Sequence, residues 1–454
     1  MSLAPPADPV LEAVLRAREP GELLRGLRQA WESEAGEACP LEDVELSRVH
    51  YKPFARARLV VRGRLGPAPG SGKVRRQPFS LQIYSRTDQA RRRRRSYLAR
   101  PSLLPSYGPP SFVVPEWHAV GFSLPNGRYL RNLAKFLDTE RTRAWLRLKG
   151  QPKLAAHYDA DELEFVRYVP RKRALLRLPA AADGSCGGAY IKLYTAAEFE
   201  IAARNLGKVA KRARKSSLGF AAPRRLASGR KKRAVVMAEL PGEQLTRFFA
   251  GHDDALMRAA GSALAGLHGS TVRTRARWTP RAELDAVRRA VDDLCAALPA
   301  LQGTAGELLR RLQARLPEAE AYRPVPIHAN LFGDQILADG NDLAIVDWDD
   351  LCLGDPAFDV GRLIAHIRYE NRELDQASRE SAAAFLDGHA ERHGPPLPAA
   401  RLSWHVAAAL ALRAKISALR PLAPDWPDRL ERAFVEAHDA LDHPEDAARG
   451  IFRA

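Results

Sequence analysis

The spacing of apolar residues divides the chain into two parts. Up to about residue 245, short segments alternate apolar and polar residues, as in ELEFVRYV and AYIKLY (residues 162–169 and 189–194), and this alternation predicts β-strands. Beyond that point, apolar residues recur three and four positions apart, which predicts amphipathic helices interrupted by a short β region over residues 324–349. Three further amphipathic helices are predicted to end the chain. The helices with the clearest spacing cover residues 254–268, 283–298, 304–316 and 404–419.

The strand-rich part contains an internal duplication. Three blocks of its first 145 or so residues match three later blocks in the same order, with offsets of 117, 110 and 116 residues. Each copy is predicted to run as two strands joined by a turn at a proline, a third strand, a helix and two more strands. The predicted division is therefore a degenerate first copy over residues 1–148, a second copy over 149–245 and a helical part over 246–454. The matched positions are Leu46 with Leu163, Gln82 with Lys192, and Pro125 with Pro241.

Length and cysteine usage limit the class of protein. At 454 residues the chain is long enough for two or three domains. Its four cysteines are scattered without a close pair or a metal-ligand spacing, which argues against a disulfide framework or a zinc site. We find neither a secretion signal nor an uninterrupted apolar run of the roughly 18 residues that a membrane span needs. These features predict a soluble protein of the reducing cytoplasm.

The formal net charge is +17, and the basic residues are clustered. Residues 91–95 are five consecutive arginines, and residues 208–215 and 224–233 form two further basic stretches. The favoured interpretation is that these basic residues lie on solvated helices and loops, and an anionic ligand is the next interpretation. Nucleic-acid binding is unfavoured but stays open, because no recognised nucleic-acid motif accompanies the basic runs.

Two polar clusters in the β region carry the strongest chemical pattern. HANLFGDQ begins at His328, and DWDDLCLGDPAFD begins at Asp347. Protein kinases place H-R-D-x-x-x-x-N before D-F-G, where the first Asp orients the nucleophile, and the Asn and the second Asp hold magnesium. In this chain, His328 and Asp347 occupy the His and second Asp positions. Asn330 replaces the first Asp, and Gln335 replaces the metal-binding Asn.

Because of these two clusters, residues 160–370 resemble the aminoglycoside phosphotransferase and choline kinase superfamily. The resemblance implies a bilobal, protein-kinase-like fold of the α+β class, with an antiparallel-sheet small lobe and a helical large lobe. It also implies ATP and Mg²⁺ as cofactors, with Asp347 and Gln335 as metal ligands. Asp355 and Asp359 are expected to brace the catalytic loop rather than to react.

The resemblance also assigns nucleotide contacts in the small lobe. Lys192 lies on the third strand, where kinases bind the α- and β-phosphates through a cation, and Glu198 or Glu200 is the expected partner of that cation. The turn between the first two strands has no glycine, so side-chain contacts from Arg171 and Arg173 are expected there. The remaining expected contacts are made by the hinge residues Glu239 and Leu240.

Asn330 is the decisive position for activity. An amide cannot accept a proton from a hydroxyl as a carboxylate does, and the loss of a general base costs about 10²- to 10⁴-fold in rate. The predicted catalytic residues are Asn330, His328 and Asp349, the last as a stand-in carboxylate. Two functions follow: an attenuated ATP-dependent kinase of a small hydroxylated molecule, neutral or anionic, or a nucleotide-binding pseudokinase without catalysis. The first copy carries Gln82 where the second carries Lys192, so it is expected to serve packing or recognition.

Overall fold

A computed structural model describes most of the chain. The described residues are 7–66, 75–98, 107–126, 130–169, 172–215, 218–249, 253–318, 322–370, 376–419 and 425–452. The structure belongs to the predicted α+β class, because antiparallel sheets fill the N-terminal region and helices fill the C-terminal part. Among the described residues, none of the helices combines the length and the apolar character needed to cross a bilayer.

The N-terminal region forms a first five-stranded antiparallel sheet behind two helices. Its strand order is β1-β2-β3-β5-β4. Asp8 begins the first helix, since its side chain accepts the backbone N–H of Val10 (2.8 Å) as an N-cap. The elements are α1 (Pro9–Arg18), α2 (Glu22–Ala35), β1 (Leu41–Lys52), β2 (Arg56–Leu65), β3 (Arg75–Ile83), α3 (Thr87–Leu98), β4 (Ser111–Val114) and β5 (Ala119–Ser123).

A second five-stranded antiparallel sheet follows with the same topology. Its order, β6-β7-β8-β10-β9, repeats that of the first sheet, including the position of the helix after the third strand. The elements are α4 (Thr139–Leu148), α5 (Pro152–His157), β6 (Glu164–Val169), β7 (Arg173–Leu178), β8 (Ala189–Tyr194), α6 (Ala196–Lys215), β9 (Arg225–Gly229) and β10 (Ala234–Ala238).

The two sheets agree in register as well as in order. Gln82 in β3 is paired with Val120 in β5, and Lys192 in β8 is paired with Val235 in β10. These pairs fall at nearly the same sequence offset. The duplication stays a prediction, and this common register supports it.

The segment between the two sheets packs with the second one. Phe136, Trp145 and Tyr158 lie in or against the core of that sheet, together with residues of β7, β8 and β10. The ring faces of Phe136 and Trp145 also receive the ammonium of Lys232, at 4.7 and 5.2 Å. The division into domains stays a proposal, and this packing favours a first boundary near residue 130 rather than at residue 148.

The first sheet contacts both of the parts that follow it. Arg62 in β2 donates a hydrogen bond to the carbonyl oxygen of Val166 in β6 (3.1 Å), and Val60 is buried in the core of the second sheet. At the other end, β1 packs against α12 (Ala399–Leu419) of the helical part. The N-terminal region is therefore in contact with both lobes of the kinase-like unit.

The C-terminal part is helical around two small sheets, with strand orders β11-β13-β14 and β12-β15. Two predictions are corrected here. Among the residues that the structure describes, five helices rather than the predicted three follow the last strand. Helix α12 is buried on nearly all sides rather than amphipathic, because it runs through the centre of the lobe. The elements, besides α12, are β11 (Glu243–Gln244), α7 (Asp254–His268), α8 (Pro280–Ala297), α9 (Gln302–Ala314), β12 (Val325–Ile327), β13 (Ile336–Asp339), β14 (Asp342–Ile345), β15 (Cys352–Gly354), α10 (Pro356–Glu370), α11 (Gln376–His393), α13 (Trp426–Asp442) and α14 (Pro444–Ala447).

A buried ionic cluster joins α8, α10 and α12. His405 lies between two carboxylates, with Nδ1 2.7 Å from Glu283 Oε2 and Nε2 3.4 Å from Asp355 Oδ2. All three side chains are almost fully buried. Burial alone would lower the pKa of His405, but Glu283 and Asp355 outweigh it and raise the pKa to about 9.

Because of this cluster, we expect the free energy of unfolding to fall at alkaline pH. Because the folded-state pKa of His405 exceeds its unfolded value, its contribution is complete below about pH 6.5 and is lost as the pH rises through 9. The contribution is of the order of 3 kcal/mol. Urea unfolding from pH 6 to pH 9.5 should show this loss, and His405→Gln should flatten it. His443→Gln, which changes a partly exposed histidine paired with Asp439, should leave the slope as it is. Equal slopes in all three proteins would contradict the assignment.

Candidate active site

The predicted lysine and aspartate meet at the cleft between the second sheet and the helical part. Lys192 extends from β8, and its Nζ lies 2.6 Å from Asp347 Oδ1 and 2.7 Å from Asp349 Oδ2. Asp347 directly follows the strand region of β14 and has a positive φ of 65°, a left-handed conformation that Asp tolerates better than most residues. This turn directs residues 347–349, called the DWD segment from here on, toward Lys192, which is 7% exposed.

Two more side chains complete a closed polar cluster. Arg173, at the start of β7, lies 2.7 Å from Asp349 Oδ2 and 4.0 Å from Asp347 Oδ1 through its Nη1. The Tyr194 hydroxyl donates to Asp349 Oδ1 (2.8 Å). Asp349 therefore receives three donors in this structure. The other arginine predicted for the same turn, Arg171, lies outside the described residues.

The electrostatics of the cluster favour the ionised form of Asp347. Burial on its own would raise the pKa of this carboxyl, but the charges of Lys192 and Arg173 hold it well below its ordinary value. Asp350 lies next to the cluster without such a pairing, and burial together with the charge of Asp349 raises its pKa. Lys192 and Arg173 thus face the carboxyl groups of Asp347 and Asp349, with the carboxyl group of Asp350 at the edge.

The predicted glutamate partners of Lys192 are elsewhere, which corrects that expectation. Glu198 accepts a hydrogen bond from the Thr195 hydroxyl (3.0 Å) at the start of α6, and Glu200 pairs with Arg230 (2.5 Å) at the surface. Both glutamates lie in the first turns of α6, whereas the residues of α6 that contact the DWD segment lie about two turns later. Lys192 is paired with Asp347 and Asp349 instead.

Asn205 is a residue of this site that sequence reasoning missed. Its Nδ2 donates to the carbonyl oxygens of Asp349 (3.1 Å) and Leu351 (3.3 Å), so that α6 holds the backbone of the DWD segment. A signal was present, because Asn205 falls on the apolar stripe of α6 between Ala202 and Val209. A buried amide on such a stripe requires hydrogen-bond partners.

Asp359 holds the backbone of the predicted catalytic loop, which begins at His328. This fully buried carboxylate accepts the backbone N–H groups of His328 (2.6 Å) and Ala329 (2.9 Å), and His268 Nε2 lies 3.5 Å away. The bracing role expected of Asp359 is confirmed by these bonds. His328 is also fully buried, with Nε2 donating to the carbonyl oxygen of Val346 (2.9 Å). It therefore positions the loop and does not face a substrate.

The two amides of the pattern differ in their surroundings. Asn330 is partly exposed, and no described residue hydrogen-bonds to its side chain. Gln335 is buried, and its Oε1 accepts the backbone N–H of Phe332 (3.0 Å). A carbonyl oxygen has two lone pairs, so one acceptor position of Gln335 is left.

The hinge predicted to contact adenine follows β10. The backbone N–H of Glu239 donates to the carbonyl oxygen of Gly188 (2.9 Å), and its side chain pairs with Arg177 (2.7 Å). The N–H of Leu240 has no partner in the described part of the chain. Of the two predicted contacts, Leu240 thus has the available amide.

The model of a family described as "phosphotransferase enzyme family" matches residues 132–393 of the chain. A search of curated proteins found no match. Similar solved structures include a choline kinase from Cryptosporidium parvum Iowa II, which is 10% identical and has a TM-score of 0.48, with 69% of this chain and 98% of that chain covered. A choline/ethanolamine kinase family protein from Mesorhizobium loti is 19% identical, with a TM-score of 0.44 and coverage of 69% and 97%. An aminoglycoside phosphotransferase from Streptomyces rimosus is 22% identical, with a TM-score of 0.42 and coverage of 61% and 98%.

Proposed function

Because this chain belongs to the phosphotransferase enzyme family, we propose that it transfers the γ-phosphoryl group of ATP to a hydroxyl group of a small molecule. The observation that supports this most is the contact of 2.6 Å between Lys192 and Asp347. These two residues come from different lobes and are separated by 155 positions in the sequence. Their convergence supports the proposal, because phosphotransferases use a cation for the phosphates beside a carboxylate for the metal.

The residues present fit a magnesium ion. Asp347 Oδ2 has no partner among the described residues, and Gln335 keeps a free lone pair, so oxygen atoms suited to a hard cation are available. The described residues include no group of three or more His, Cys, Asp or Glu side chains arranged for a metal. Mg²⁺ does not require one, because it is commonly held by one or two carboxylates together with substrate phosphates. Asp347 and Gln335 would hold the ion, and the ion would neutralise part of the phosphate charge.

Each side chain then has a distinct task in transfer. Lys192 leaves the carboxylates to bind the phosphates, and Arg173 stays on Asp349 and keeps the DWD segment in place. The Asn330 amide oxygen accepts a hydrogen bond from the acceptor hydroxyl, which orients its oxygen toward the γ-phosphorus. As the new oxygen–phosphorus bond forms and the bond to ADP breaks, the hydroxyl proton passes to a phosphoryl oxygen, since Asn330 cannot take it. We therefore propose an attenuated rate.

Two observations favour a second candidate function, a nucleotide-binding protein without transfer. Asn330 lacks a carboxylate, and Lys192 is paired with both Asp347 and Asp349 in this structure. Under either function we propose a cytoplasmic protein, consistent with the free thiols of all four cysteines. Transfer of labelled phosphate from ATP to an acceptor would support the first function, and nucleotide binding without such transfer would support the second.

Nucleotide binding is tested first by replacing Lys192. We expect the ATP analogue AMP-PNP with Mg²⁺ to raise the melting temperature of the wild type, and Lys192→Met to weaken its binding by about 10- to 100-fold, the value of a charge-assisted hydrogen bond. Lys172→Met removes an exposed lysine from the turn next to Arg173 and should bind as the wild type does. The melting temperature without ligand is measured for each protein, because Lys192→Met removes the cation in contact with Asp347 and leaves Asp349 with Arg173 and Tyr194. Equal affinity in all three proteins, or none in the wild type, would refute the proposal.

A further inference from the structure

One partly buried cation beside the predicted catalytic loop has no counter-charge in contact with it among the described residues. Arg362 in α10 stacks on two rings, with Cζ 4.4 Å from the centroid of Phe358 and 5.8 Å from that of Phe332. Its Nε is enclosed without a hydrogen-bond partner, and no described carboxylate is close enough to form an ion pair with it. An enclosed N–H group is normally hydrogen-bonded, because burying a polar group without a partner costs free energy.

The surroundings of Arg362 only partly compensate for its burial. Burial lowers the pKa of this guanidinium, against the more distant attraction of Glu283, Asp359 and Asp350. Arginine nevertheless stays charged at physiological pH. Stacking on an aromatic face contributes about 0.5–2 kcal/mol, but it supplies no acceptor for the N–H groups. The guanidinium therefore keeps N–H groups that an anion could accept.

Its position is beside the predicted acceptor hydroxyl. Asp359 binds the backbone N–H of Ala329, the residue before Asn330, and Arg362 is three residues later on the same face of α10. Phe332, whose ring it covers, is two residues after Asn330. One helix face thus fixes the catalytic loop and presents a cation next to it.

A neighbouring arginine provides a comparison within the same site. Arg413 in α12 also stacks on Phe332, with Cζ 5.2 Å from the ring centroid. Its guanidinium forms an ion pair with Glu370, so its charge is balanced within the protein. Of these two cations on Phe332, Arg362 is the one whose charge is not neutralised by contact.

We propose that Arg362 binds an anionic group of the acceptor, a carboxylate or a phosphate, while the hydroxyl of the same molecule lies at Asn330. This inference rests on the proposed function and specifies its substrate class. The fork of N–H groups in a guanidinium matches both kinds of anion. The net charge of +17 acts in the same direction, because it attracts anions and repels polycationic acceptors.

The test compares three probes of similar size: glycerol, glycerate and glycerol 3-phosphate. Each is titrated by calorimetry into the full chain, with and without saturating AMP-PNP and Mg²⁺ to occupy Lys192. We expect one or both anions to bind and glycerol not to bind. Arg362→Gln should weaken the anion by about 10- to 100-fold, and Arg413→Gln should leave it unchanged. The carboxylate and phosphate probes distinguish the two anionic groups.

Arg362→Lys is the second variant, in case Arg362→Gln does not fold. It keeps the charge and loses the fork, so we expect intermediate affinity. The inference is overturned if the anions do not bind, if glycerol binds as well as they do, or if Arg362→Gln and Arg413→Gln behave alike. Failure of AMP-PNP to bind refutes the proposed function instead, and the titrations without nucleotide still decide the role of Arg362.

Discussion

Replacing Asn330 with Asp is expected to raise the rate of phosphoryl transfer by about 10²- to 10⁴-fold, the usual contribution of a general base. The side chain keeps its size, and it is partly exposed with no described hydrogen-bond partner to disrupt. The new carboxylate can accept the proton of the acceptor hydroxyl during attack, which the amide cannot do. The measurement is kcat with labelled ATP, or ATP hydrolysis if no acceptor is known.

Asn341→Asp is the matched control, because it introduces the same charge in the exposed turn between β13 and β14. It should leave kcat unchanged. If Asn330→Asp binds AMP-PNP as the wild type does and still shows no gain, then proton removal does not limit the rate. A variant that hydrolyses ATP when the wild type shows no turnover would favour the non-catalytic function for the natural chain.

Replacing Asp359 with Asn is expected to lower the free energy of unfolding by about 3–5 kcal/mol. The carboxylate accepts two backbone N–H groups and faces His268, and an amide would direct N–H donors at groups that are themselves donors. Urea unfolding measures the loss. Asp387→Asn removes an exposed carboxylate that pairs with Arg258 and should cost less than about 1 kcal/mol.

The effect of Asp359→Asn should also depend on pH. Burial would raise the pKa of Asp359, but His268, His328 and the backbone N–H group of His328 lower it overall. A lowered carboxyl pKa gives stability that is present above the unfolded value, near 4, and is lost as the pH falls through the folded value. The difference between wild type and variant should therefore narrow in acid. A constant difference from pH 7 to the acid transition would contradict this account.

The sequence predicted the parts of the site that depend on strand order. Lys192 and Asp347 each belong to a motif with a fixed place on a strand, so their approach followed from the kinase-like resemblance. The helix partner was misassigned because both glutamates lie at the start of α6, whereas helical rotation brings Asn205 to the DWD segment. A sequence pattern does not show where a helix begins relative to its neighbour.

Contacts between distant helices were also beyond the sequence. Arg362 and Arg413 lie on α10 and α12, and only the packing of these helices brings both onto Phe332. The same limit applies to α12, since alanine-rich sequence with scattered polar residues is typical of both amphipathic and central helices. Its central position became evident from its neighbours on all sides.

The first sheet has a mechanical consequence for the cleft. It is attached at one side to β6 through Arg62 and Val60, and at the other side β1 packs against α12. A rotation that separates the two lobes about the segment after β10 must therefore slide one lobe over this sheet or break one of the two attachments. We therefore expect the N-terminal region to act as a brace across the joint and to restrict how widely the cleft can open.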